Sequence, residues 1–133
     1  MISPGQRIEL IQKAIEVRRQ AYMPYSGYAV GAALLAKNGE IFTGCNVENA
    51  GYSSTICAER TAVVKAVSEG VREFEAIAVV TENAGSPCGG CRQVLYEFAP
   101  YMLVIIADTQ GHVHDEITLS ELLPRGFGPE SIA

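Results

Sequence analysis

The chain has 133 residues, of which 48% are hydrophobic and 19% charged, a composition that favours one compact domain over residues 1–133 rather than two domains or a disordered tail. Ten Lys and Arg stand against fifteen Asp and Glu, a net charge of −5, so the basic surplus that holds a phosphate backbone is missing and a nucleic-acid ligand is disfavoured. The longest unbroken apolar run, Tyr28 to Ala36, is nine residues, well short of the roughly 20 that span a bilayer, and Met1-Ile-Ser-Pro-Gly5 has no secretory character, so the expectation is a cytoplasmic protein without a membrane partner.

Ser3-Pro4 reads as an N-cap followed by proline at the first helical position, and Ile8, Ile11 and Ile15 recur at helical spacing until Pro24 forbids continuation. The first helix is predicted over about 4–22. Tyr28 to Ala36 and Glu40 to Asn46 flank the hairpin signal Asn38-Gly39 and form an antiparallel strand pair. From Cys57, the alanines at 58, 62 and 66 and the neighbouring valines give a helix with an apolar face, and Gly70 suits the position past its end. Ala76 to Thr81 is a short buried strand. A second cysteine-bearing helix, with Cys88 and Cys91 in its first turn, runs until Pro100. Leu103 to Ala107 is another buried strand, Asp108 to Gly111 a turn, and His112 to Ile117 an edge strand. Thr118-Leu-Ser-Glu121 reads as a capping box for a short last helix stopped by Pro124. The order αββαβαββα predicts a mixed sheet whose later strands run largely parallel. The two cysteine-bearing helices then share a face, and their N-termini converge beyond the strand carboxyl ends.

Four cysteines without an export signal point away from disulfides. Cys88 and Cys91 form a C-x-x-C pair able to grip one metal from a single turn, and Cys57 begins the other helix. A helix N-terminus favours thiolate, and three thiolates are a soft donor set that selects zinc and leaves the fourth tetrahedral position for water. Two readings stay open for Cys45: a fourth ligand of a closed structural site, or a small core thiol. Glu59 lies two residues after Cys57, a spacing unsuited to a co-ligand but compatible with reaching the open position as a proton shuttle; the bland alternative is a carboxylate serving the helix dipole. Zinc with three thiolates carries a net −1, which opposes acidifying water unless it is offset. Arg60 and Arg92 each stand where a hydrogen bond to a ligand sulfur is feasible, or are solvated helix arginines. His112 and His114 read mainly as surface or core imidazoles rather than as a second metal site.

Cys57-Ala58-Glu59-Arg60 with Pro87-Cys88-Gly-Gly-Cys91-Arg92-Gln93 resembles the signature of the zinc-dependent cytidine deaminase superfamily. The likeness to its small homotetrameric members runs from about Gln6 to Phe127 and includes Pro24-Tyr-Ser26, Val30-Gly-Ala-Ala33, Gly44-Cys-Asn-Val-Glu-Asn-Ala50 and Glu121-Leu-Leu-Pro124. The resemblance implies a three-layer α/β/α fold on a five-stranded mixed sheet and one zinc ion per chain. It also implies hydrolytic deamination of cytidine and deoxycytidine to uridine and deoxyuridine with loss of ammonia, as in pyrimidine salvage. By position, Cys57, Cys88 and Cys91 hold the metal and Glu59 relays a proton to N3 of the base. Asn46 and Glu48 take the ribose hydroxyls, Tyr28 stacks on the base where the family has phenylalanine, and Ala58 is a further substrate contact. Phe127 and Tyr52 reach a neighbouring subunit's pocket. Glu48 also repels a 5′-phosphate, favouring a free nucleoside over a nucleotide. Two rival readings are a zinc-stabilised interaction domain, which fills its shell with Cys45 and has no use for Glu59, and a blasticidin-S deaminase, against which the Asn46-Val-Glu48 tract argues.

Overall fold

The computed structural model describes residues 2–132. Helix α1 spans Pro4–Arg18 and begins with a closed capping box: Ser3 Oγ accepts from the Gln6 N–H at 3.1 Å, and Gln6 Oε1 accepts from the Ser3 N–H at 2.9 Å. It stops short of the predicted residue 22. Arg19 and Gln20 tighten into bonds onto Glu16 and Val17, and the main chain of Tyr22 is then claimed by the segment beyond the second strand. The Tyr22 N–H donates to Asn46 O at 3.0 Å, and Tyr22 O accepts from the Glu48 N–H at 2.8 Å. A bridge to a segment distant in sequence ends this helix before its proline does.

Strands β1 (Gly31–Ala36) and β2 (Ile41–Cys45) form the predicted hairpin, turning at Gly39 with φ +93°, a conformation glycine adopts without strain. Helix α2 (Ala58–Ser68), β3 (Phe74–Val80), α3 (Gly89–Phe98), β4 (Leu103–Ala107), β5 (Val113–Thr118) and a short α4 (Leu119–Leu122) follow, with single 3₁₀ turns at Tyr52–Ser54 and Pro129–Ser131. The sheet order is β2-β1-β3-β4-β5. β3 and β4 are the one parallel pair; β1 is antiparallel to β2 and β3, and β5 to β4. The expectation of largely parallel later strands is thereby corrected: β2, β3 and β4 share a direction, but β1 lies between β2 and β3, and the connection after Ala107 is too short to cross over, so β5 returns as an antiparallel edge.

Every residue of β1 is buried because both faces of the sheet are covered. Ala33, Leu35, Ala76, Ala78, Val80 and Ile105 pack under Leu10, Ile11 and Ala14 of α1. The alternate residues, among them Ala32, Leu34, Ile77, Val79, Val104 and Ile106, pack under Ala62, Val63 and Ala66 of α2 and Leu95 of α3. This period of two across the sheet gives three α/β/α layers and puts both cysteine-bearing helices on one side. Each starts just beyond the carboxyl end of β2 or β3. α2 comes so close to β2 that a Cβ at Gly44 would lie 2.5 Å from Ala58 O, so glycine there lets the helix start sit directly on the strand. The capping box predicted at Thr118 is absent: Thr118 does cap α4, but it makes no side-chain cap bond and also ends β5, paired with Leu103. No helix among the described residues is long and apolar enough to cross a membrane.

Candidate metal centre and pocket

Cys57 is the N-cap of α2, Cys88 the N-cap of α3, and Cys91 the third residue of α3. The two helix starts bring their three sulfurs within 4.8 Å of one another. Cys57 Sγ lies 3.8 Å from Cys88 Sγ, and Cys88 Sγ lies 3.4 Å from Cys91 Sγ. Two sulfurs each about 2.3 Å from one tetrahedral zinc lie about 3.8 Å apart, so spacing and donor chemistry both fit zinc. Among the described residues this is the one cluster of at least three such donors. Cys45 stays outside it, half-buried at the end of β2, and Asp108, His112 and His114 do not form another. His114 Nε2 lies 2.8 Å from Asp108 Oδ2, a contact that holds the Asp108 carboxyl down at about 2. Cys45→Ala is therefore expected to retain one zinc per chain by metal analysis, together with full activity; zinc loss from that variant would restore the closed four-cysteine site.

The charges on the cluster are set by its neighbours. The Cys57 thiol is pulled down to about 5, chiefly by the hydrogen bond from Cys91 and also by Arg60, and Cys91 correspondingly holds its proton more tightly. Arg60 Nη2 lies 3.8 Å from Cys57 Sγ and 3.3 Å from Thr55 O, the placement anticipated for a guanidinium drawing charge from sulfur. Its Nε is buried without a hydrogen-bond partner, so the side chain is held close to the sulfurs rather than fully solvated. Arg92 departs from expectation. Its Nε donates to Pro87 O at 2.7 Å, its Nη1 to Leu122 O at 2.8 Å and its Nη2 to Ser86 Oγ at 2.9 Å. It ties the loop before α3 to α4 and bonds no sulfur, because the helical turn after Cys91 directs it away from the cluster.

Beside the cluster lies a cavity of about 270 Å³ lined by Cys57, Cys88, Glu59, Asn46, Glu48 and Tyr28, together with Ser26, Val30, Thr55, Val79, Thr81, Gly85 and Ser86. Glu59 retains only 4% exposure, and burial pushes its carboxyl up to about 7. It stands at the second position of α2, beside Cys57 and outside the three-sulfur donor cluster, with the Cys91 thiol close enough to act on its carboxyl. Glu48 Oε1 accepts from the N–H groups of Tyr25 at 2.9 Å and Ser26 at 3.1 Å, while Oε2 accepts from the Ser26 hydroxyl. The Ser26 bond leads in holding its pKa below the ordinary carboxylate value. Of about four acceptor positions on a carboxylate, one is left for a ligand. Asn46 is more committed than its sequence position suggested: Nδ2 donates to Tyr28 O at 2.8 Å and Oδ1 accepts from the Val30 N–H at 2.9 Å. One amide N–H and one lone pair remain.

Ala58 is fully buried in the core under α2, which leaves only its main chain for any contact in the site. Tyr52 is 85% exposed and Phe127 58% exposed, and neither lines the pocket of its own chain. Ser26, Thr81 and Gly85 also line it; Ser26 entered the sequence reading only within Pro24-Tyr-Ser26 and Thr81 only as the end of a strand, and Gly85 not at all. A larger groove of about 710 Å³ lies at the opposite end of β3 and β4, floored by Phe74 and Met102 and bordered by the Arg7–Glu116 ion pair at 2.8 Å. Among the described residues its lining holds no cluster of three metal donors.

Residues 4–107 match the family described as the cytidine and deoxycytidylate deaminase zinc-binding region. The chain is similar to a cytidine deaminase of Sporosarcina psychrophila, 51% identical over 94% of this chain and 93% of that one. A cytidine deaminase of Halalkalibacterium halodurans is 52% identical over 92% and 95%. Among solved structures, the crystal structure of cytidine deaminase from Burkholderia pseudomallei superposes with a TM-score of 0.87 at 45% identity, covering 95% of this chain and all of that one. With a three-thiol centre at two helix starts, a buried carboxylate beside it and this agreement along nearly the whole length, the chain belongs to the zinc-binding cytidine and deoxycytidylate deaminase family.

Proposed function

We infer that this chain catalyses the zinc-dependent hydrolytic deamination of cytidine and deoxycytidine, yielding uridine and deoxyuridine with release of ammonia in pyrimidine salvage. The observation that carries the reading is the buried Glu59 lining the same cavity as Cys57 and Cys88. Cys57, Cys88 and Cys91 would hold zinc, which when bound would supply a Lewis acid able to make water acidic near neutral pH. Glu59, raised to about 7 by burial, suits both halves of a proton relay, accepting a proton from the attacking water and delivering it to N3 of the base. The C4–O bond forms, the second proton of the attacking water passes through Glu59 to the amino nitrogen, and the C4–N bond breaks with release of ammonia. The Tyr28 ring offers a face for the base. The free acceptor position of Glu48 and the spare amide N–H of Asn46 serve the ribose hydroxyls, and the Glu48 charge disfavours a 5′-phosphate.

Incubation with cytidine, deoxycytidine and blasticidin S, followed by ammonia release and the ultraviolet change of the base, tests the reading. Turnover of the two nucleosides alone supports it, whereas turnover of blasticidin S alone, or of nothing by zinc-loaded protein, overturns it. The protein is proposed to act in the cytoplasm as a single-domain subunit of a homotetramer, with the exposed Tyr52 and Phe127 completing neighbouring pockets. Light scattering of an active sample should give four times the chain mass, and an active monomer contradicts the assembly.

Arg60→Gln should lower turnover while zinc stays bound. The positive guanidinium draws charge from Cys57 and also holds the Glu59 carboxyl lower than burial alone would set it. Without it, the coupled group that must lose a proton before attack does so at higher pH, so the acid limb of kcat/KM moves upward. Collapse of zinc occupancy would make Arg60 a support of the ligands instead, and an unchanged rate and profile would make it a bystander.

A further inference from the structure

The connection between β3 and α3 forms part of the pocket through Thr81, Gly85, Ser86 and Cys88. It is held internally by few bonds: the Gly85 N–H donates to Thr81 Oγ1 at 2.6 Å and the Ala84 N–H to Thr81 O at 3.4 Å. Ala84 sits at φ +56°, a conformation that L residues keep only when their surroundings hold it. The tie across the pocket is made by side chains. The Tyr28 hydroxyl donates to Asn83 Oδ1 at 2.6 Å, and the same oxygen accepts from Thr81 Oγ1 at 3.3 Å. The approach is tight enough that a Cβ on Gly85 would lie 2.7 Å from the Tyr28 hydroxyl oxygen, so glycine at 85 leaves room for the bond.

We propose that Asn83 is a positioning residue for nucleoside binding, which locks the Tyr28 ring and the 81–88 connection together so that this wall of the pocket is built before substrate arrives. The proposal rests on reading the pocket as the nucleoside site. A phenylalanine in place of Tyr28 has no hydroxyl with which to make this tie. Neither the Asn83 amide nor the Tyr28 hydroxyl holds a metal or moves the catalytic proton. Loss of their bond therefore leaves the chemistry in place and adds an ordering cost to binding. The signature is a change in KM with little change in kcat.

The test compares the zinc-loaded wild type with Asn83→Ala, Tyr28→Phe, the double variant and Asn83→Asp, using cytidine as substrate. Asn83→Ala should raise KM about three- to tenfold, the range of a net neutral hydrogen bond, with kcat within about twofold. The double variant should be no worse than the poorer single, because both singles already remove the Tyr28–Asn83 bond. Asn83→Asp should recover most of the lost affinity, since a carboxylate oxygen accepts from the tyrosine as the amide oxygen does. Unchanged KM in Asn83→Ala, additive losses in the double variant, or failure of aspartate to rescue would each overturn the proposal. Hydrogen exchange at the Gly85 amide gives a readout independent of turnover. It should quicken several-fold in Asn83→Ala and Tyr28→Phe alike, and unaltered exchange in both overturns the proposal whether or not cytidine is the substrate. Wild-type turnover in the same assay separately tests the function, and Tyr28→Phe, which deletes a single oxygen, keeps the comparison open if Asn83→Ala fails to fold.

Discussion

Glu59→Gln is expected to reduce kcat for cytidine by about 10²–10⁴-fold, the usual contribution of a positioned acid–base group, with one zinc still bound per chain. The amide keeps the size and much of the polarity of the side chain, so the second position of α2 and its packing against the core are preserved. What is lost is the ability to take up and release a proton. Glu59 is suited to that task because 4% exposure deprives the ionised form of water and brings its pKa to about 7, where both forms are populated near neutral pH. It is not one of the three clustered donors, so zinc content should not follow the loss of activity. A zinc-loaded Gln variant with near-normal turnover would remove Glu59 from the mechanism, and a zinc-depleted one would make it a support of the metal centre.

Replacing Cys91 with Ala should abolish both stoichiometric zinc binding and deamination. Cys91 is fully buried, and its sulfur is 3.4 Å from that of Cys88, so its loss removes a donor and leaves two thiols, with no fourth residue among the described ones in the donor cluster to replace it. Because metal binding to the folded state stabilises it by mass action, the variant should also melt several degrees below the wild type. Treating the wild type with a strong zinc chelator should lower its Tm toward that of the variant, while the variant itself should not respond. If Cys91→Ala retains one zinc and its activity, the three-cysteine centre is not where the metal acts. Cys45→Ala supplies the contrast, since it is an equally small change to a thiol outside the cluster.

The features that could be read from the chain are those whose cause is local. Ser3 and Pro4 start α1 through bonds within one turn, and Gly39 supplies the positive φ that the hairpin requires. Cys57, Cys88 and Cys91 were identifiable because a ligand pair at i and i+3, together with a third thiol at another helix start, is chemistry expressed within short stretches. The apolar runs at Tyr28–Ala36, Ala76–Thr81 and Leu103–Ala107 likewise announced buried strands. Pairings between distant segments decided the rest. α1 stops at Arg18 because Tyr22 bonds across to Asn46 and Glu48. Asn46 clasps Tyr28 eighteen positions away, and Arg92 reaches Leu122 thirty positions on instead of turning to the sulfurs. The bond between Tyr28 and Asn83 spans 55 positions, and the direction of β5 depends on which neighbour it meets at the sheet edge. An amide or guanidinium carries no local preference among acceptors of equal chemistry. Its partner is chosen only when sheet order and helix packing bring one acceptor within about 3 Å, and that choice belongs to the tertiary structure.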